Sequence, residues 1–599
     1  MSLKVKTFLL VGIFLIAAFA FAENGGLLPA PSPDVVAGQP ATATALPAAP
    51  AAQPQAQPAP HKNRLGITFG FDERVRADSY NNATGDDNPA TGASYAESES
   101  RFIRIRTRPF IGVNITQDLD FNLKLGNESW KRYYADPPGV PGNRAISLPL
   151  LAGEIWVDQA NLNFKKFPGV NNLSLKVGRF DMITNEGFGF FTGNEGVGPR
   201  DAFFTGVRLD YKLGKQNFAL FAFYQPRNDF FPVINGSNQA LNDPAQIARL
   251  PRIRETLQEQ DIDSFTFYYT NKMLKNTDIE IYNTIFHEYD MSCDPSPTTG
   301  NCTYYSDSGA AYSSSNYMFY QPDRTFDMLA GRIVQRFPKQ HFVFKSEFQG
   351  EFGTQDGVNS AIRTVGGVAP LRGSTSIRAF GEYGYATEYF QFKTKPYIRA
   401  VYVFLSGSKP GDLKTDGNYV NPYNAWAWHP SLLDPEGYQT PLFSDLYVYA
   451  QQKTEFQANP AYMTNLRILG LEAGFTPFKH AMLIGSFQNV GAMNPYAPNP
   501  IWGAAAVPTS MPYYNLGYTT ALACGTTPLA QCSVTNGTQR YNMVKSELNY
   551  RWSPNFNFNL SGEKLFYGDY WNSLHRNNAY YVRTELNYTF RSFRAFQKN

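Results

Sequence analysis

Ile103-Arg104-Ile105-Arg106-Thr107-Arg108-Pro109-Phe110-Ile111-Gly112-Val113-Asn114 is the stretch that decides the fold. Ile103, Ile105, Ile111 and Val113 fall on one phase of a two-residue repeat, and Arg104, Arg106, Arg108 and Asn114 fall on the other. A period of two with charge confined to one phase describes a strand with one dry and one wet face. An arginine facing lipid near mid-membrane costs about 2–4 kcal/mol, so in a membrane the charged phase must face inward.

The same alternation extends in both directions. Leu65, Ile67, Phe69 and Phe71 oppose Thr68, Asp72, Arg74 and Arg76. Leu119, Phe121, Leu123 and Leu125 oppose Asp120, Asn122, Lys124 and Glu128. Further strands are predicted near 153–165, 172–181, 203–213, 217–227, 262–272, 277–289, 326–336, 342–353, 377–390, 395–406, 464–476, 480–490, 541–552, 555–566 and 579–590. In the 342–353 segment Phe342, Phe344, Phe348 and Phe352 are expected to face lipid, and Lys345, Glu347, Gln349 and Glu351 to face in. The expected fold class is therefore all-β, a transmembrane antiparallel barrel of about eighteen strands.

The gaps between strands carry the sidedness. Thr116-Gln117-Asp118, Gly214-Lys215-Gln216, Lys272 to Thr277, Pro477-Phe478-Lys479 and Ser553-Pro554 are tight turns. Long connections fall between them, the largest near 228–261, 290–325, 407–463 and 491–540. Bacterial barrels pair short periplasmic turns with long outer loops. Every odd-numbered connection is then an outer loop, and the even strand count returns the chain to the periplasm.

Composition agrees. Aromatic residues make up 15% of the chain, with 47 Phe and 37 Tyr, enough for two interfacial girdles. The mean hydropathy of −0.36 is no objection, because half of every barrel strand faces a polar interior. A net charge of +3 gives no argument for nucleic acid.

Residues 1–22 read as a signal peptide, with Lys4 and Lys6 before an apolar run and Ala20-Phe21-Ala22 as the cleavage site. Residues 23–62 are rich in Ala, Pro and Gln and are expected to form a disordered periplasmic linker, or a docking arm for an export or peptidoglycan partner. Residues 63–599 are assigned to the barrel. Cys293 with Cys302, and Cys524 with Cys532, are expected to form two local disulfides in outer loops, since an exported chain meets an oxidising periplasm. Their spacing does not suit zinc. No cofactor and no metal site is expected.

Several short motifs resemble the alginate-export family of outer-membrane porins. They are Asp158-Gln159-Ala160-Asn161-Leu162, Leu175-Lys176-Val177-Gly178-Arg179, Phe203-Phe204-Thr205-Gly206-Val207-Arg208-Leu209, Glu347-Phe348-Gln349-Gly350, Phe404-Leu405-Ser406-Gly407-Ser408 and Glu547-Leu548-Asn549 with Phe566-Tyr567-Gly568-Asp569. The resemblance covers residues 65 to 590 and implies an eighteen-stranded monomer passing an anionic polysaccharide through an Arg- and Lys-rich lumen. Two departures stand out. The chain runs on past Phe590 through Arg591 to Asn599, where such barrels end on an aromatic residue, here Phe590 or Phe593. The inward set is also mixed in charge. Arg74, Arg76, Arg104, Arg106, Arg108, Lys124, Arg208, Arg332, Lys345, Arg399 and Arg583 stand beside Asp72, Glu128, Asp158, Asp210, Glu347, Glu351 and Glu585.

Arg104, Arg106 and Arg108, with Arg74 and Arg76 on the neighbouring strand, form a candidate anion-selecting strip, since arginine matches carboxylates and phosphates bidentately. The bland alternative is that these arginines pair with Asp72, Glu128 and Asp158 and only brace the wall. Gly187-Phe188-Gly189-Phe190 is expected to lie in an outer loop folded inward as a constriction, not in a phosphate loop. His287 and His341 sit at strand ends and receive no ligand role. The expected function is passive passage of anionic solutes, with outer-membrane lipid and lipopolysaccharide as surroundings. The alternatives are a structural or adhesive barrel with a blocked lumen, and, with no matching Ser-His set, a barrel enzyme.

Overall fold

The structure is a computed structural model. It describes residues 65–81, 100–134, 155–182 apart from 168, 188, 204–225, 262–289, 304–305, 311–312, 324–355, 375–407, 415–416, 431–433, 439–441, 465–494, 538–568 and 578–596. The signal segment, the Pro-rich segment and all four cysteines lie outside the described residues.

Eighteen strands make the wall. They are β1 (Leu65–Asn81), β2 (Ser100–Asn114), β3 (Leu119–Tyr134), β4 (Ile155–Phe164), β5 (Leu173–Phe180), β6 (Phe204–Leu213), β7 (Gln216–Gln225), β8 (Ile262–Asn271), β9 (Thr277–Glu288), β10 (Arg324–Phe337), β11 (Phe342–Gln355), β12 (Thr375–Tyr389), β13 (Tyr397–Leu405), β14 (Leu466–Phe475), β15 (Ala481–Gly491), β16 (Gln539–Ser553), β17 (Phe556–Tyr567) and β18 (Ala579–Phe596). Each pairs antiparallel with its sequence neighbours, and β1 closes the ring on β18, from Leu65 opposite Phe596 to Asn81 opposite Tyr580. Closure leaves no unpaired edge, the condition for crossing lipid with strands. Every predicted strand is present, with shifted ends. The largest shift is in β18, which continues past Phe590 to Phe596, so most of the presumed tail is wall.

Where Leu405 ends β13, the space beside β12 is taken by Thr415–Asp416, which pairs parallel with Ser376 and Ile377. A register shift between Lys124 and Leu125 bulges Asp158 out of the β3–β4 ladder. The short turns all lie at the end of the barrel where β1 starts and β18 finishes. That end is periplasmic, and the closed ring belongs to the bacterial outer membrane.

The outer face follows the predicted phase. Phe69, Phe71, Val75, Ile103, Ile111, Phe265, Phe267, Phe348, Phe352 and Val582 are exposed to the surroundings. Carboxylates interrupt this band, and two of them have hydroxyl partners. Glu73 on β1 accepts a 2.6 Å hydrogen bond from Thr107 Oγ1, and Glu382 on β12 lies 3.0 Å from the Tyr402 hydroxyl, itself 2.9 Å from Ser346 Oγ. Hydroxyl partners on adjoining strands offset part of the cost of placing a carboxyl there.

Candidate functional site in the lumen wall

The β1–β2 register sets the arginine strip. Arg74 lies opposite Arg106, Arg76 opposite Arg104, and Asp72 opposite Arg108. Like charges directly across a ladder repel, so the strip requires counter-charges from other strands. Arg76 Nε lies 2.8 Å from Asp78 and its Nη1 3.7 Å from Glu585 on β18. Asp78 also accepts Arg583 Nε at 2.8 Å and the Tyr581 hydroxyl. On the other flank Arg108 Nε lies 3.8 Å from Asp158, and Lys124 Nζ lies 2.9 Å from Asp158 and 3.5 Å from Asp181. The bulge that releases Asp158 from the ladder places it between these two cations.

Of the expected bracing carboxylates, Asp158 serves; Asp72 forms no ion pair with Arg108 despite lying across from it in register. The Glu128 side chain lies outside the described residues. Asp78 and Glu585 do more than either. All five arginines are buried, between 1% and 7% exposed. The strip is spatially real, but the face expected to be wet is nearly dry here.

Arg208 differs. It forms a two-pronged pair with Asp210 on its own strand, Nε at 2.7 Å and Nη2 at 2.9 Å, and its side chain stays 30% exposed. Asn217 Nδ2 donates to Asp210 at 3.1 Å.

Half the circumference away from β2 stands β11, whose Lys345, Glu347, Gln349 and Glu351 all point inward and are buried. Arg332 pairs with Glu280, and Tyr268 donates to the same carboxylate. Tyr282 donates to Glu347 at 3.1 Å, and Lys345 Nζ lies 4.0 Å from Glu347 and 4.9 Å from the Tyr383 ring centre. Arg399 spans Thr387 at 2.9 Å and Glu472 at 3.0 Å, and Tyr397 also donates to Glu472, at 2.8 Å. Lys545 lies between Glu563 at 3.5 Å and Glu547 at 3.8 Å. The arginine-rich panel thus faces a wall richer in glutamate. Asp78, Asp181, Glu280, Glu472, Lys545 and Glu563 were not singled out in the sequence, although their inward phase was available to find them.

Phe188, in the connection after β5, lies inside the lumen. Phe188 is buried, with its ring 5.8 Å from that of Tyr383 on β12. It joins a cluster of inward side chains that includes Val403, Leu405, Ile468, Met543 and Tyr581. Since β12 lies seven strands round from β5, Phe188 stands well away from the strand that precedes it. The expected inward-folded loop lies outside the described residues except for Phe188, which is buried inside the ring.

No family profile matches the chain, and no curated protein matches it. Solved structures similar to it include OccK5 (OpdH) of Pseudomonas aeruginosa, at 8% identity and TM-score 0.41, covering 88% of this chain and 98% of that one. OprD of the same organism is similar at 9% identity and TM-score 0.38, with 87% and 95% covered. A BenF-like porin from Pseudomonas fluorescens Pf-5 is similar at 11% identity and TM-score 0.42, with 88% and 99% covered. The alginate-export likeness stays one of short motifs. By the pairing of its own strands the chain is an eighteen-stranded antiparallel outer-membrane β-barrel.

Proposed function

We propose that the barrel is a passive channel for small anionic solutes. The observation that carries this reading is the cross-strand set Arg74/Arg106 and Arg76/Arg104, continued by Arg108, on the inward face of a closed ring. Paired arginines present several fork-shaped donors to a carboxylate or phosphate, and inward cation rings are a common means of anion selection. No bond is made or broken. The burial of the strip and of Phe188 inside the ring favours small solutes over an alginate-like polymer.

The second reading, a structural or adhesive barrel with a blocked lumen, draws support from the same Phe188–Tyr383 contact. Planar-bilayer recording separates the two. The channel reading expects conductance with anion preference, and a weaker preference in the triple variant Arg104→Gln, Arg106→Gln, Arg108→Gln. Absence of conductance overturns it in favour of the blocked barrel, and cation preference overturns the role of the strip.

A further inference from the structure

The periplasmic rim carries a charge pattern that solute passage does not use. Six of the eight short turns, spanning 165–172, 212–215, 272–276, 338–341, 390–396 and 476–480, hold ten lysines and no aspartate or glutamate. All ten lysines are exposed. The remaining two turns, Ile115-Thr116-Gln117-Asp118 and Pro554-Asn555, hold no lysine. The basic arc therefore runs from β4 to β15. One member, Lys165, also reaches Asp120 at 2.7 Å.

Within the arc each basic turn also exposes a large apolar side chain. Met273 and Leu274 lie between Lys272 and Lys275, Leu213 lies between Lys212 and Lys215, Phe392 precedes Lys393 and Lys395, and Phe478 precedes Lys479. Lys166-Phe167 and Phe337-Pro338-Lys339 repeat the combination. Aromatic pairs sit on the outer wall at the same level. Phe218 and Tyr269 have ring centres 4.9 Å apart, Phe337 and Phe342 5.7 Å, and Phe478 and Tyr550 6.0 Å. Such a girdle marks the membrane interface. An exposed apolar residue there enters the acyl boundary, while a lysine beside it extends its stem to the headgroups.

We propose that this arc is a collar that binds the phosphate groups of anionic phospholipids in the periplasmic leaflet of the outer membrane. A mouth that only attracted water-borne anions would need the lysines but not Met273, Leu274, Phe392 and Phe478 exposed among them. Lysine, a compact charge on a flexible stem, suits a mobile phosphodiester better than a fixed bidentate partner. Each lysine that engages a headgroup should give a roughly fivefold preference for an anionic over a zwitterionic lipid.

The test uses the full-length protein in nanodiscs of equal phosphatidylglycerol and phosphatidylethanolamine, with retained lipid counted by native mass spectrometry. Wild type should retain phosphatidylglycerol in excess. The variant Lys272→Gln, Lys275→Gln, Lys393→Gln, Lys395→Gln should lose much of that excess while keeping the heat-modifiable gel shift of a folded barrel. Arginine at the same four positions should keep it. If the glutamine variant does not fold, wild type at about 0.5 M salt should show the same loss, because exposed charges are then screened within a few ångströms. Equal retention of the two lipids by wild type, or an unchanged excess in the folded glutamine variant, overturns the proposal. So does a changed ion selectivity with unchanged lipid retention, which would make the arc a solute funnel.

Discussion

Asp78 on β1 accepts Arg583 Nε of β18 at 2.8 Å and thereby ties the first strand of the barrel to the last. The same carboxylate holds Arg76 and accepts the Tyr581 hydroxyl, and all three partners are buried. Removing one member of such a set leaves the others charged and dry. Asp78→Asn should cost about 3–5 kcal/mol. The midpoint of urea unfolding, followed by the gel mobility of the folded form, checks this. An unchanged midpoint would mean that the seam is held by backbone pairing alone.

Phe188 packs on Tyr383 of β12 inside the ring, with ring centres 5.8 Å apart, and takes up lumen volume there. Phe188→Ala should raise single-channel conductance without altering the strand content read by circular dichroism. Equal conductance would place the narrowest point elsewhere.

Exposure decides which single cation matters most to a passing ion. Arg208 keeps 30% of its side chain exposed and Lys124 14%, against 7% or less for each arginine of the β1–β2 strip. Arg208→Gln should therefore shift the reversal potential in a KCl gradient further than any single substitution in the strip. A larger shift from Arg106→Gln would show that the strip is more open in the conducting state than at rest.

Gly178 adopts φ +117°, and a Cβ there would lie 2.3 Å from the Ala160 carbonyl oxygen. Gly178→Ala adds about 1–3 kcal/mol of backbone strain to that clash. A reduced folded fraction in refolding assays is expected, with Gly485→Ala, where a Cβ meets open space, as the neutral control.

Strand phase was legible in the sequence because it is local. Phe348 and Glu347 declare opposite faces through adjacent positions, and the wall obeys. Height and partner were not legible. Arg399 meets Glu472 and Tyr282 meets Glu347 across gaps of 73 and 65 residues, and which inward groups meet depends on the register of each intervening ladder. One bulge at Lys124/Leu125 was enough to hand Asp158 to Lys124 and Arg108. The dryness of the strip was hidden for a similar reason. Alternation says that a side chain faces in, not how crowded the interior is when every strand sends one.

The ladders around the ring are unequal. The closing joint of β1 and β18 matches seventeen residues with seventeen, whereas β4 and β5 match five with five. A barrel under lateral tension parts at its weakest stave. Amide exchange should therefore be fastest along β4 and β5, while the joint of β1 with β18 stays shut. The wall is built like a cask whose final stave is its firmest and whose give lies a few staves away, between β4 and β5.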